Sequence, residues 1–177
     1  MARLLTSCLL MALGIVALPA HSLAQVKASE QDLKAAIIIN MAMFIDWPRQ
    51  NTLPADTLNI CFIEASPVAE ALGNAQGRKI GNRAVRVTKV RTDALGDCHI
   101  VYVAPADSPQ LPEIIATLRN APTLIVGDSP NFLSRGAMLN LELSAGHIVF
   151  DVDLRSAQKV GLQFSSKALR LARQVIE

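Results

Sequence analysis

Side chains that could perform hydrolytic or acid–base chemistry occur in this sequence only in weak patterns. The segment Ser165-Ser166-Lys167 brings a serine near a lysine, but it lacks the Ser-x-x-Lys spacing that would put both on one helix face. Asp151 and Asp153 alternate with Val152 and can share one face of a strand, yet a carboxylate pair alone is weak evidence for acid–base catalysis. We therefore interpret Ser165 as a helix N-cap and predict no catalytic residues.

Metal and cofactor sites have equally little support. His99 and His147 lie on separate predicted strands without a neighbouring ligand pattern, and isolated histidines of this kind are more often structural or exposed. No Gly-x-Gly-x-x-Gly motif or P-loop follows a predicted strand, so nucleotide binding is unsupported. We predict neither a metal site nor a cofactor.

The first 24 residues have the features of a secretory signal peptide. Arg3 supplies the positive charge, the stretch from Leu4 to Val16 is apolar but too short to span a bilayer, and Ser22-Leu23-Ala24 offers small residues for cleavage. Cleavage after Ala24 would leave residues 25–177, which we predict to be a single exported domain. We predict no nucleic-acid partner, because the chain has 17 basic and 15 acidic residues and so lacks a basic excess.

Two cysteines, Cys61 and Cys98, remain in the exported domain. An even pair in an oxidising compartment is usually bonded. Their separation is far from the Cys-x-x-Cys spacing of a redox-active dithiol. We predict a structural intramolecular disulfide.

Strand and helix patterns alternate along the domain. Short apolar or alternating runs predict strands at 57–63, 84–90, 98–103 and 123–126, and Ser-Pro pairs begin the helices between them. Two further alternating segments, 138–143 and 147–152, flank Ser144-Ala145-Gly146 and predict a hairpin. We predict an α/β fold with a mostly parallel sheet flanked by helices, the antiparallel hairpin at its edge, and a closing helix from Ser165.

The first helix is predicted from about Glu30 to Asp46, with Ser29 as its N-cap and Trp47-Pro48 as its end. Its main apolar stripe consists of Leu33, Ile37, Met41 and Phe44. Packing in the core is the simpler explanation for so broad an apolar surface. As a hypothesis, three isoleucines off the stripe require cover from a second copy of the chain, and this candidate dimer or partner surface consists of Ile38, Ile39 and Ile45.

Several segments resemble, in order, successive blocks of the YfiR-like family of periplasmic regulators. They are Phe44-Ile45-Asp46-Trp47-Pro48 after an apolar helix, Cys98 to Val103, Thr123 to Asn140, and Ile148 to Ala172. The most specific portion runs from Gly161 to Ala172. Family members commonly have Asn where this chain has Asp153.

The resemblance implies a periplasmic α/β protein that is not an enzyme. It further implies a repressor that binds the periplasmic sensor domain of an inner-membrane diguanylate cyclase, lowers cyclic di-GMP and biofilm formation, and is sequestered by an outer-membrane lipoprotein. Two other functions stay open from the residues alone. A periplasmic small-ligand-binding or sensor protein would need a concave pocket with convergent polar groups, and a hydrolase is supported only by the weak serine and carboxylate patterns.

Overall fold

The structure is a computed structural model that describes residues 28–48 and 55–177. The predicted signal peptide, residues 1–24, lies outside the described residues. The helices are α1 (Glu30–Met41), α2 (Pro67–Gly73), α3 (Leu111–Thr117), α4 (Leu154–Lys159) and α5 (Ser166–Leu171). The strands are β1 (Ile45–Asp46), β2 (Thr57–Phe62), β3 (Lys79–Ile80), β4 (Arg83–Lys89), β5 (Ile100–Val103), β6 (Leu124–Gly127), β7 (Leu139–Ser144), β8 (His147–Asp153), β9 (Gln163–Phe164) and β10 (Gln174–Ile176).

An eight-stranded mixed sheet has the strand order β10-β8-β7-β6-β5-β2-β4-β3, and β1 pairs separately with β9. The neighbours β4, β2, β5, β6 and β7 run parallel, whereas β8 is antiparallel to β7. The predicted α/β fold with a mostly parallel sheet and an antiparallel hairpin is confirmed. The hairpin lies one strand in from the edge, because β10 pairs with β8 after the closing helix, where we predicted no strand.

The local sequence explains the central strands and the hairpin. Every residue of β5 and β6 is buried, as expected for parallel strands covered on both faces, which read as continuous apolar runs. In the hairpin, Ser144 pairs with His147 and leaves a two-residue loop. Its residues Ala145 and Gly146 have φ angles of 49° and 80°, the left-handed conformation that such a tight hairpin turn requires.

The order of the strands creates a crevice at the carboxyl ends of the central strands β2 and β5. From β2 the chain continues through α2 to β4 on one side, whereas β5 lies on the other side of β2. The connections that leave the carboxyl ends of β2 and β5 therefore run in opposite directions. Such a topological switch point is where open α/β sheets usually bind their ligands. Crossovers between parallel strands are almost always right-handed, so we expect α2 and α3 on opposite faces of the sheet. Helix α1 packs against α2.

The first helix buries the predicted stripe only in part. Met41 is buried, and Ile37 and Phe44 are half-buried against the core. Ser29 is its N-cap, with Oγ accepting a hydrogen bond from the Asp32 N–H at 3.2 Å. The regular helix ends at Met41 and continues as a 3-10 turn, Ala42–Phe44. Leu33, assigned to the buried stripe, is 42% exposed. The residues that α1 buries are Lys34, Ala35, Ile38, Ile39 and Met41.

This placement corrects the prediction of a dimer or partner surface at the three isoleucines. Ile38, Ile39 and Ile45 are 0%, 5% and 5% exposed within a single copy of the chain. They belong to the hydrophobic core, so the argument that they need cover from a second copy does not hold. The homodimer stays a prediction without this support, and light scattering at micromolar concentration tests it.

A disulfide joins Cys61, within β2, to Cys98, just before β5. The two Cα atoms are 5.9 Å apart, and both residues are buried in the core. The bond therefore connects a central strand to the segment that leads into its neighbour in the sheet.

Candidate functional site

A cleft of about 290 Å³ lies at the carboxyl ends of the parallel strands. It opens at the crevice between the connections that leave β2 and β5, so the topology of the sheet positions it. Helix α1, the beginning of α2, and the ends of β5 and β6 each contribute to its lining. The lining residues are Glu30, Gln31, Lys34, Ser66, Pro67, Val68, Tyr102, Pro105 and Asp128.

A buried ion pair forms the base of this cleft. The Lys34 Nζ donates a hydrogen bond to Asp128 Oδ1 at 2.6 Å and lies 2.6 Å from Glu30 Oε1. The side chains of Lys34 and Asp128 are only 9% and 7% exposed. Burial by itself would lower the pKa of Lys34, but hydrogen bonds to Asp128 and Glu30 raise it above its ordinary value. The lysine therefore stays charged although it is almost inaccessible to water.

Tyr102 extends this network from the centre of the sheet. Its hydroxyl donates to Asp128 Oδ2 at 2.8 Å. Burial, together with the negative charge of Asp128, raises the pKa of Tyr102 well above its ordinary value, so the hydroxyl keeps its proton. Asp107, in the connection after β5, is fully buried and accepts a hydrogen bond from the Ala104 N–H at 3.0 Å. Burial also raises the pKa of Asp107.

Asp128 directly follows β6, and Gly127, the last residue of that strand, is packed closely against neighbouring side chains. A Cβ atom at Gly127 would lie 2.6 Å from Phe132 Cδ2 and 2.7 Å from Asn140 Oδ1, closer than real Cβ atoms approach their neighbours. A glycine is therefore required where the chain passes between these two side chains.

After its acidic first turn, the solvent side of α1 carries no charge and Asn40 is its one exposed polar residue. Lys34 is the only charged residue from Leu33 to Ile45, and its side chain is directed into the protein. Leu33 and Met43 are 42% and 54% exposed. Surface helices usually show the reverse arrangement, with charges outward. We call this surface the α1 outer face and define it as Leu33, Ala36, Ile37, Met43 and Phe44. Ile37 and Phe44 are half-buried against the core, and the exposed Asn40 lies beside them.

The residues considered for chemistry from the sequence are not brought together. Asp153 caps α4 by accepting a hydrogen bond from the Ser156 N–H at 3.1 Å, and Ser165 caps α5 as we predicted. Asp151 accepts a hydrogen bond from Arg173 Nε at 2.9 Å. His99 is buried, whereas His147 is exposed. Within residues 28–48 and 55–177, no group of three or more His, Cys, Asp or Glu side chains is placed to hold a metal ion.

Sequence reasoning missed Lys34, Tyr102 and Asp128. A signal was present, since Lys34 is the only charged residue in the apolar run from Leu33 to Ile45 and Asp128 directly follows a buried strand. The carboxyl ends of parallel strands meet at one edge of a sheet, so an acidic residue at that point is a candidate partner for a buried lysine.

The comparison with protein families decides the assignment of the chain. A family model described as YfiR/HmsC-like matches residues 31–173. The chain belongs to the YfiR/HmsC-like family. The matched range contains nearly every residue that lines the cleft, together with the whole α1 outer face. YfiR-like proteins are periplasmic regulators rather than enzymes, and membership suggests a role in diguanylate cyclase signalling.

Two solved structures are similar in fold to this YfiR/HmsC-like protein. A conserved domain protein from Vibrio cholerae has a TM-score of 0.60 and 11% sequence identity, with 83% of this chain and 60% of that chain covered. The ABC domain from Streptococcus pneumoniae, solved in complex with L-Trp, has a TM-score of 0.54 and 10% identity, with 82% and 60% covered. The chain thus spans 60% of the length of each. No helix in the described part of the YfiR/HmsC-like chain is long and apolar enough to cross a membrane.

Proposed function

We propose that this protein represses an inner-membrane diguanylate cyclase by binding the periplasmic sensor domain of that enzyme. The family match over residues 31–173 carries the proposal. A repressor of this kind needs to bind the inactive conformation of the cyclase more tightly than the active one. A difference of about 1.4 kcal/mol shifts the equilibrium tenfold, and equal affinity for both conformations shifts nothing. An outer-membrane lipoprotein that competes for the repressor would release the cyclase.

The contact with the sensor domain is proposed to involve the α1 outer face. Its supporting observation is a mainly apolar strip without charge, with Leu33 and Met43 as its most accessible large side chains. Exposed apolar patches on soluble domains often mark interaction sites, and the centre of a protein interface is depleted of charged residues. The matching surface of the cyclase would accordingly be apolar and uncharged.

Deletion of the gene for this protein tests the repressor proposal. We expect cyclic di-GMP and surface-attached growth to rise, and a second deletion, of the cognate cyclase, to reverse both effects. Re-expression of the unaltered chain should restore the low level. An unchanged cyclic di-GMP concentration in the single deletion, while the cyclase is expressed, would contradict repression.

A second candidate function is small-ligand sensing. The cleft at the switch point supports it, because buried charged groups and an apolar wall converge there as they do in ligand sites. A similarly folded structure, the ABC domain from Streptococcus pneumoniae, was solved with L-Trp bound. Calorimetric titration of the purified protein with small molecules tests this candidate, and binding that is insensitive to substitutions in the cleft would contradict it.

A further inference from the structure

We infer that the cleft beside Lys34 binds a small organic cation, a primary ammonium group carried on a short apolar stem. The inference rests on the second candidate function, ligand sensing, and adds the chemical class of the ligand. It is independent of whether the protein represses a cyclase.

The charges that line the cleft favour a cation. Lys34 is the only basic residue among the lining residues, and it faces two carboxylates, Glu30 and Asp128. The cluster therefore has an excess of one negative charge. Tyr102 adds no charge to the cluster, because its hydroxyl keeps its proton and donates a hydrogen bond to Asp128. An anionic ligand would meet this negative excess, whereas an ammonium group would neutralise it.

Glu30 is the carboxylate available to such a ligand. Both oxygens of Asp128 already accept hydrogen bonds, one from Lys34 and one from Tyr102. Glu30 is half-exposed and its Oε1 contacts Lys34. Its other oxygen can accept a hydrogen bond from an ammonium group at the mouth of the cleft, and the side-chain amide oxygen of Gln31 offers a second acceptor.

The remaining wall sets the size and polarity of the ligand. Pro67, Val68 and Pro105 present apolar atoms that can cover methylene groups. A volume of about 290 Å³ is at the lower limit of small-molecule sites, so a chain of a few carbons is the best match. Because Glu30 and Lys34 both belong to α1, a bound cation contacts the helix that also carries the α1 outer face. Ligand binding thereby has a direct route to the proposed partner surface.

Three probes of equal length and different charge test the inference. The purified protein is titrated with butylammonium, butanoate and butan-1-ol at millimolar concentrations, and binding is followed by amide chemical shifts and calorimetry. We expect butylammonium to bind, with shifts at residues 30–34 and 66–68, and added salt to weaken it. Butanoate and butan-1-ol should bind much more weakly.

Two matched carboxylate variants identify the acceptor. Glu30→Gln should weaken butylammonium binding about tenfold, since it removes the negative charge that strengthens the hydrogen bond to the ammonium group. Glu64→Gln, at a comparably exposed carboxylate paired with Lys89, should leave the affinity unchanged.

Two other outcomes would overturn the inference. If butanoate or butan-1-ol binds as tightly as butylammonium, or if Glu30→Gln binds as the unaltered protein does, selection of a cation at Glu30 is overturned while ligand sensing stands. If none of the three probes binds, the cation inference is overturned and ligand sensing loses the support of this cleft.

Discussion

At the scale of single residues, His99 shows how burial fixes the protonation of a side chain. Its Nδ1 accepts a hydrogen bond from the Asn59 N–H at 3.1 Å, and its ring meets the Trp47 ring edge-on with centroids 5.9 Å apart. The residue is 2% exposed. Burial, together with the positive charge of Arg83, lowers the pKa of His99 to about 4. The neutral imidazole is therefore the form that fits the fold.

The stability of the protein should depend on pH through His99. Its pKa in the folded state lies below the unfolded value of about 6.5, so the unfolded chain takes up the proton first as the pH falls. We expect a loss of up to about 3 kcal/mol in the free energy of unfolding between about pH 6.5 and about pH 4. Urea unfolding at about pH 7 and about pH 4.5 measures it.

Two histidine variants separate this effect from the titration of carboxylates. His99→Asn keeps a hydrogen-bond acceptor but removes the titrating ring, so the difference in stability between the two pH values should shrink. His147→Asn, at an exposed histidine, should behave as the unaltered protein does. An equal pH dependence in His99→Asn and the unaltered protein would rule out His99 as the source.

At the scale of elements, a buried ion pair joins α1 to the sheet, while some apolar side chains of this segment face solvent. The ion pair between Lys34 and Asp128 attaches the helix to the end of β6. A buried ion pair contributes little net stability, whereas loss of one partner leaves an uncompensated buried charge. The arrangement therefore fixes which face of the helix is turned outward more than it strengthens the fold.

A charge introduced on the α1 outer face should have little effect on the stability of the free protein but should weaken its binding to the sensor domain. We expect Leu33→Glu to change the free energy of unfolding by no more than about 0.5 kcal/mol, because the side chain is exposed. If this face binds the sensor domain, affinity should fall about 30-fold, the effect of losing an interface residue that contributes about 2 kcal/mol. Calorimetry with the purified periplasmic domain of the cognate cyclase measures it.

Leu171→Glu is the matched control for this surface, since Leu171 is an exposed leucine on a different helix, α5. It should leave the affinity unchanged. If Leu33→Glu binds the sensor domain as tightly as the control does, the contact lies elsewhere on the protein, and the repressor proposal then rests on the deletion experiment alone.

At the scale of the whole molecule, the disulfide closes a long loop through the middle of the sheet. Cys61 and Cys98 are 37 positions apart, and the loop between them contains α2, β3 and β4. In the chain-entropy model, a loop of this size destabilises the unfolded state by about 3–4 kcal/mol. The bond therefore matters more for the unfolded chain than for contacts in the folded one.

Replacement of either cysteine by serine should lower the melting temperature by about 10 °C, which corresponds to about 3–4 kcal/mol in a domain of this length. The double variant should lose no more than either single variant, because one bond is removed in each case. Thermal unfolding followed by circular dichroism measures the shift. Quantitative labelling of two free thiols in the freshly isolated native protein would show that the bond does not form in the cell.

The sequence by itself determined the features that depend on near neighbours or on composition. The alternating segments around Ala145-Gly146 predicted the hairpin, because the side-chain period and the turn residues are local properties. Ser29 and Ser165 were identified as caps for the same reason. The family resemblance also followed from contiguous blocks of residues, and the match over 31–173 confirmed it.

Tertiary structure alone decided which face of α1 is buried. From Leu33 onward, apolar residues lie on nearly every side of this helix, so its periodicity could not show that Ile38 and Ile39 are buried more deeply than Leu33 and Ile37. The choice depends on Asp128, 94 positions away, which compensates the charge of Lys34 only when that residue is inside. Strand β10 is a second case, since three residues form a strand only because β8 provides their hydrogen-bond partners. Contacts between distant segments exist only once the chain has folded, and for this reason local patterns could not predict the cleft.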